Sequence, residues 1–182
     1  MDMDFEEIIQ FLVENHLPID KLKAPSRPGI YGIFLKPSSE FPYVASKNGL
    51  LYIGSTGNLS SREYEDHFQS GSSGFSTLRR SFGAILKNTL SLIAIPRGTG
   101  NADSNYACYR FTDEGERKLT EWMRNSLEVA ILPIDTEHEK IEKELIKKYI
   151  PILCIKGCQS PYKEELKVLR KKCADEARLT VK

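Results

Sequence analysis

The sequence predicts an α+β domain: a small, mainly antiparallel β-sheet flanked by helices, with additional helices at its N- and C-terminal ends. Three observations predict it. Two β-prone runs, GIYGIFL (29–35) and LLYIG (50–54), are joined by a long loop with two prolines and an Asn-Gly pair, which suits a hairpin and antiparallel pairing. A third apolar run, LEVAILPI (127–134), reads as a buried strand. Between and around these runs lie amphipathic periods, three of them opened by Ser/Thr/Asp-x-x-Glu cap signatures.

In chain order, Phe5, Ile8, Ile9, Leu12 and Val13 recur at helical spacing and predict a helix over 4–15. Pro18 and the Pro25–Pro28 stretch make a linker. After the hairpin, Asn58 or Ser60 caps a helix to about Gln69, with Ser60 and Glu63 at capping-box spacing. Gly71 to Gly74 breaks the chain, and 76–88 is again helical. LSLIAI (90–95) reads as a strand, PRGTGNADSN as a mobile loop and YACYRF (106–111) as a short strand. Asp113 and Glu116 open a helix to about Asn125; Thr136 and Glu139 open another, which Pro151 ends; a last helix covers 161–174. The division expected is a helix and linker over 1–26, a core domain over 27–158 with an insertion at about 70–126, and a basic helix over 159–182.

The 182 residues suffice for a domain with a proper core, and 40% hydrophobic with 28% charged residues is an ordinary globular balance. No apolar run approaches the roughly 20 residues of a membrane span. The acidic start MDMDFEEII has no basic leader region, so a cytoplasmic protein is expected. Cys108, Cys154, Cys158 and Cys173 form no Cys-x-x-Cys pair, which predicts reduced thiols. A net charge of +1 excludes a globally basic nucleic-acid binder, but from Lys156 to Lys182 eight bases face four acids, a local basic face able to meet phosphate.

The helix after Thr136 carries a carboxylate on its apolar side. With Ile141 at zero and about 100° per residue, Leu145 falls near about 40°, Tyr149 near about 80° and Ile146 near about 140°. Glu142, at about 100°, lies inside that arc, whereas Lys140, Lys143, Lys147 and Lys148 lie outside it. A buried carboxylate is costly unless paired, so Glu142 should meet a cation, whether an arginine or a metal.

Taken together, Gly29-Ile30-Tyr31, Tyr52-Ile53-Gly54, then Gly54, Asn58-Leu59 and Arg62 in a G-x-x-x-N-L-x-x-R pattern, and finally EKELIKKYIPIL from Glu142 to Leu153, resemble the GIY-YIG nuclease family. The resemblance covers about residues 27–155. It implies a metal-dependent endonuclease that hydrolyses DNA phosphodiester bonds, with Mg²⁺ or Mn²⁺ on Glu142, Arg62 clamping the phosphate, and Tyr31 and Tyr52 positioning or deprotonating the attacking water. The chemistry has physical reasons. Mg²⁺ keeps most of its waters and needs only one or two protein carboxylates. A guanidinium presents a planar fork that stays charged at any working pH. A phenol, with an ordinary pKa near 10, needs nearby positive charge to act as a base.

Two positions depart from the family pattern. A histidine often stands four residues after the arginine; here Asp66 does, and His67 follows one later, turned by about 100° on a regular helix. We count His67 with Tyr31, Tyr52, Arg62 and Glu142 as a candidate catalytic residue. Cys154 stands where the family has an asparagine supporting the glutamate region. The alternatives are a nucleic-acid-binding protein on this fold without catalysis, or a protein-interaction scaffold. A homodimer remains open.

Overall fold

The structure is a computed structural model of the chain and describes residues 3–43, 47–60, 67–155 and 157–180. In chain order its elements are α1 (Phe5–Glu14), β1 (Leu17–Pro18), β2 (Gly29–Leu35), β3 (Leu50–Thr56), α2 (Thr77–Ile85), β4 (Ala94–Ile95), α3 (Asp103–Ala107), β5 (Arg110–Phe111), α4 (Asp113–Ser126), β6 (Leu127–Pro133), α5 (His138–Tyr149) and α6 (Lys163–Leu179). The described residues also include two short 3₁₀ turns, Ile19–Lys21 and Lys47–Gly49. The fold is α+β, as the sequence predicts. The chain divides into two compact units, Met1–Tyr64 with Arg124–Pro161, and Glu65–Met123 with Tyr162–Lys182.

The first unit is built on a four-stranded sheet in the order β1-β6-β2-β3, antiparallel at every pairing. β2 lies between β6 and β3 and is buried nearly throughout, on both its faces, which is why GIYGIFL shows no polar alternation. On one face Ile30, Ile53, Ala130 and Leu132 pack with Ile8, Ile9 and Leu12 of α1 and Leu145 and Ile146 of α5. α1 starts at a capping box: the Asp4 carboxylate accepts from Glu6 and Glu7 N–H, and the Glu7 carboxylate accepts from Asp4 N–H. β3 carries a bulge at Leu51, since Ile33 pairs with Tyr52 and Phe34 with Leu50.

α5 corrects one expectation. The Thr136–Glu139 capping box does not form; the helix starts at His138 behind Glu137 in a left-handed conformation (φ 56°), with no side-chain cap. Its end is as expected, with Ile150 left-handed (φ 49°) just before Pro151.

In the second unit Ser76 caps α2 by accepting from Arg79 N–H at 3.1 Å, and α6 packs against α2, β4 and α3. Two expected strands shrink here. Of LSLIAI only Ala94–Ile95 is strand: Leu90 N–H still bonds to Leu86 O, and Ser91 turns left-handed (φ 52°), so the turn that follows α2 claims the first half. Of YACYRF only Arg110–Phe111 is strand, because Tyr106 and Ala107 close the helix α3 that begins inside the expected loop. Gly83 admits the Phe111 ring; a Cβ there would lie 2.1 Å from Phe111 Cε2. The last helix runs further than expected, to Leu179.

Candidate active site

The hairpin register brings the two tyrosines together. Tyr31 lies opposite Gly54 and Ile33 opposite Tyr52; cross-strand partners share a face, as do alternate residues, so these four side-chain positions line one face. The Tyr31 and Tyr52 rings have centroids 6.1 Å apart and planes at 35°. Gly54 makes this arrangement possible. It is a strand residue rather than part of the turn, and a Cβ on it would lie 2.5 Å from both Cζ and Oη of Tyr31. The Tyr31 ring therefore lies across bare backbone and is 4% exposed.

Burial raises the pKa of the Tyr52 phenol well above its ordinary value. Cys154 and Glu142 nearby add to the rise, and a hydrogen bond from Tyr31 opposes it. At neutral pH Tyr52 is thus a protonated phenol that can donate.

Glu142 sits half-buried on α5 between the core residues Ile141, Leu145 and Ile146. The Ser55 hydroxyl of β3 donates to its Oε2. Among the described residues no basic side chain pairs with it, so the cation expected of its sequence position is not one of them. Ser55 was not legible as a site residue. Period two does put it with Ile53 on the helix-facing side of β3, and a polar residue at such a position is the signal that could have found it.

The segment after α5 closes the outer edge of β3. Leu153 N–H donates to Leu51 O at 3.0 Å. Cys154 Sγ accepts from Ile53 N–H and donates to Ile53 O, both at 3.4 Å. The thiol therefore makes a two-way bond to the strand from the position where an asparagine was expected. Burial pushes its pKa up, so it stays a neutral thiol.

Arg62 lies outside the described residues, as does Glu63 of the expected capping box. The turn leading to them is well anchored. Thr56 Oγ1 accepts from Asn58 N–H at 3.2 Å, Asn58 Oδ1 accepts from Ser60 N–H at 3.1 Å, and Leu59 N–H donates to Arg27 O at 2.7 Å.

His67 belongs to the second unit. Its Nδ1 lies 2.7 Å from Ser76 Oγ, and its carbonyl accepts from Arg79 Nη1 at 3.1 Å. Burial, and then the Arg79 charge, pulls its pKa down to about 4, so it is neutral at pH 7.

No curated protein and no solved structure matches the chain. The profile of one family, described as the GIY-YIG catalytic domain, matches residues 29–172. That span takes in both tyrosines, Ser55, Arg62, His67, Glu142 and Cys154, and it is most of the chain: the protein belongs to the GIY-YIG catalytic domain family, a family of nucleases.

Proposed function

We propose that the protein is an endonuclease that hydrolyses DNA phosphodiester bonds with Mg²⁺ or Mn²⁺ held at Glu142. One observation carries this reading: the Tyr52 phenol, paired with Tyr31, lies near enough to Glu142 to feel its charge, and that half-buried carboxylate has as its partner a serine hydroxyl rather than a basic side chain among the described residues. A carboxylate so placed calls for a cation. Among the described residues no group of three His, Cys, Asp or Glu side chains gathers that would make an all-protein cage. One hard carboxylate with a hydroxyl beside it fits Mg²⁺ or Mn²⁺, which retain water and lean on one or two protein carboxylates. When bound, such an ion neutralises charge on the phosphate and on the leaving oxygen.

The chain's own residues supply the rest. Ser55 fixes the orientation of the Glu142 carboxylate by donating to one of its oxygens. Tyr52 donates a hydrogen bond that orients the attacking water or a phosphate oxygen. Tyr31 hydrogen-bonds to Tyr52 and so orients it; a phenol accepts the water's proton only as a phenolate, and the positive charge of Arg62 favours that ionised form. Arg62 clamps the scissile phosphate as charge builds on it. His67 enters only as an auxiliary, since its Nδ1 is engaged with Ser76 and its ring is neutral.

Cleavage of supercoiled, linear and single-stranded DNA with Mg²⁺ or Mn²⁺ tests the proposal. The wild type should nick at least one form. Arg62→Ala should lose about 100- to 1000-fold in rate, as expected for a preorganised charge-stabilising group. Glu142→Ala should remove the metal-dependent activity. Binding without nicking under either metal would instead favour a non-catalytic nucleic-acid binder, and full activity in Glu142→Ala would overturn the metal assignment.

A further inference from the structure

The second unit holds a group of arginines that have no carboxylate partner among the described residues. Arg80 is 5% exposed. Its Nη1 donates to Ser73 O at 2.8 Å and its Nη2 to Thr77 Oγ1 at 3.1 Å, but its buried Nε has no acceptor. Arg97 converges on the same turn, donating from Nη1 to Gly74 O at 3.2 Å with its side chain packed along Gly74. Arg170 of α6 and Arg97 are each near enough to Arg80 for their positive charge to oppose its own. The neighbours of Arg170 on α6 differ: Lys167 pairs with Glu164 and Lys171 with Asp175, each at 2.7 Å. Arg170 also lines a groove of about 530 Å³ along α6, together with Lys167, Lys171, Arg178 and the acidic Asp175.

A buried guanidinium without a counter-charge is unfavourable, and two more guanidinium groups beside it increase the cost. An external anion set against Arg97 and Arg170 relieves it. The chemistry of that anion is narrowed by Phe75, next in the turn. Its ring is 78% exposed, with the Arg97 guanidinium carbon 5.1 Å from its centroid. A bare aromatic ring beside unpaired arginines is the combination that grips single-stranded nucleic acid, where bases stack and phosphates follow a basic groove.

We propose that the turn Ser73–Phe75, with Arg97 and Arg170, forms a binding face for single-stranded DNA, with Phe75 stacking on a base and the two arginines holding backbone phosphates. This rests on the reading of the protein as a DNA-acting enzyme and assigns it a DNA-binding face outside the candidate catalytic residues.

The test is fluorescence anisotropy with a labelled single strand of about 16 nucleotides and a duplex of equal length, using the full chain and a chelator to prevent cleavage. Phe75→Ala should weaken single-strand binding by about 5- to 160-fold, the range for loss of one stacked base, and duplex binding less than about twofold. Arg97→Ala with Arg170→Ala should reduce the single-strand salt slope by about 1.4, or about 0.7 for each phosphate no longer neutralised. The lysine pair Arg97→Lys with Arg170→Lys, checked by thermal melting, should keep that slope and so separates missing charge from a disrupted fold. The face is overturned if the wild type does not bind the single strand, if the alanine pair keeps the wild-type slope, or if Phe75→Ala weakens duplex and single strand alike. The two readings fail separately. A chain that binds through this face but never cuts loses only the nuclease assignment, and one that cuts DNA while the variants bind normally loses only the face.

Discussion

At the scale of single residues, the glycine of Tyr52-Ile53-Gly54 matters because of the ring above it. Gly54→Ala puts a methyl group 2.5 Å from Tyr31 Cζ and Oη, so Tyr31 must move off the strand. Overpacking of this kind costs about 1–3 kcal/mol. We expect Gly54→Ala to lower the melting temperature and to cut the cleavage rate at least tenfold, whereas Gly57→Ala, which meets nothing within 4 Å, should change neither; differential scanning fluorimetry and a nicking assay compare them. His67 supports a prediction on stability. Its folded pKa of about 4 lies below the ordinary 6.5, so between those values the unfolded chain binds a proton that the folded chain does not. Stability from this group is complete above about pH 6.5 and is lost as the pH falls towards 4. His67→Gln should flatten the acid side of the stability curve measured by urea denaturation from pH 7 to 4.5. In the sequence Glu142 stands out because a carboxylate is out of place on an apolar helix face, whereas Tyr31 and Tyr52 are ordinary strand residues singled out only by the motifs that contain them. The sequence hides Ser55 and the reason for Gly54, since both depend on the register across the hairpin, and register is a property of two strands at once.

At the scale of elements, the helices with strong periodicity and the long apolar strands were legible almost to their ends, and the short pieces between residues 90 and 111 were not. Ala94–Ile95 and Arg110–Phe111 pair over only two residues each. Local propensity cannot mark a strand so short; tertiary packing decides it. What organises this region is an ion pair that is not adjacent in sequence. Arg79 Nη2 meets Glu116 Oε2 at 2.7 Å with both side chains at or below 1% exposure. The same carboxylate accepts from Ser73 Oγ at 2.9 Å and from Phe111 N–H at 3.0 Å, and Arg79 also donates to His67 O and Thr120 Oγ1. The pair thus ties α2, α4, β5 and the turn before α2 into one network. Removing one partner leaves the other buried and unpaired, at a cost of about 3–5 kcal/mol. Arg79→Met and Glu116→Leu should each lose that much in urea unfolding, and the double variant that combines these two changes should lose less than their sum. Additive losses would mean that the two residues act independently.

At the scale of the whole molecule, the chain passes from the first unit to the second and back before entering the second again, so neither unit is one continuous stretch of sequence. The order of motifs in the sequence reveals the sheet, because strands joined by a hairpin are neighbours in space. It does not reveal that α6, which begins at Lys163, completes a core begun far earlier at Thr77, since closing so long a loop leaves no local trace. Leu166, Cys173, Ala174 and Ala177 of α6 are buried, and the helix packs on α2, β4 and α3. Fully burying a leucine-sized side chain is worth about 1.5–3 kcal/mol, and domains are stable by only about 5–15 kcal/mol. A chain ending at Pro161 therefore loses a large share of what holds the second unit. We expect its amides in α2 and around β4 to exchange with solvent at least a hundredfold faster than in the full chain, read by hydrogen–deuterium exchange and mass spectrometry. Amides of β2, bonded on both sides to β3 and β6, serve as the internal reference. Undiminished protection in α2 would mean that α6 is an appendage rather than part of that core.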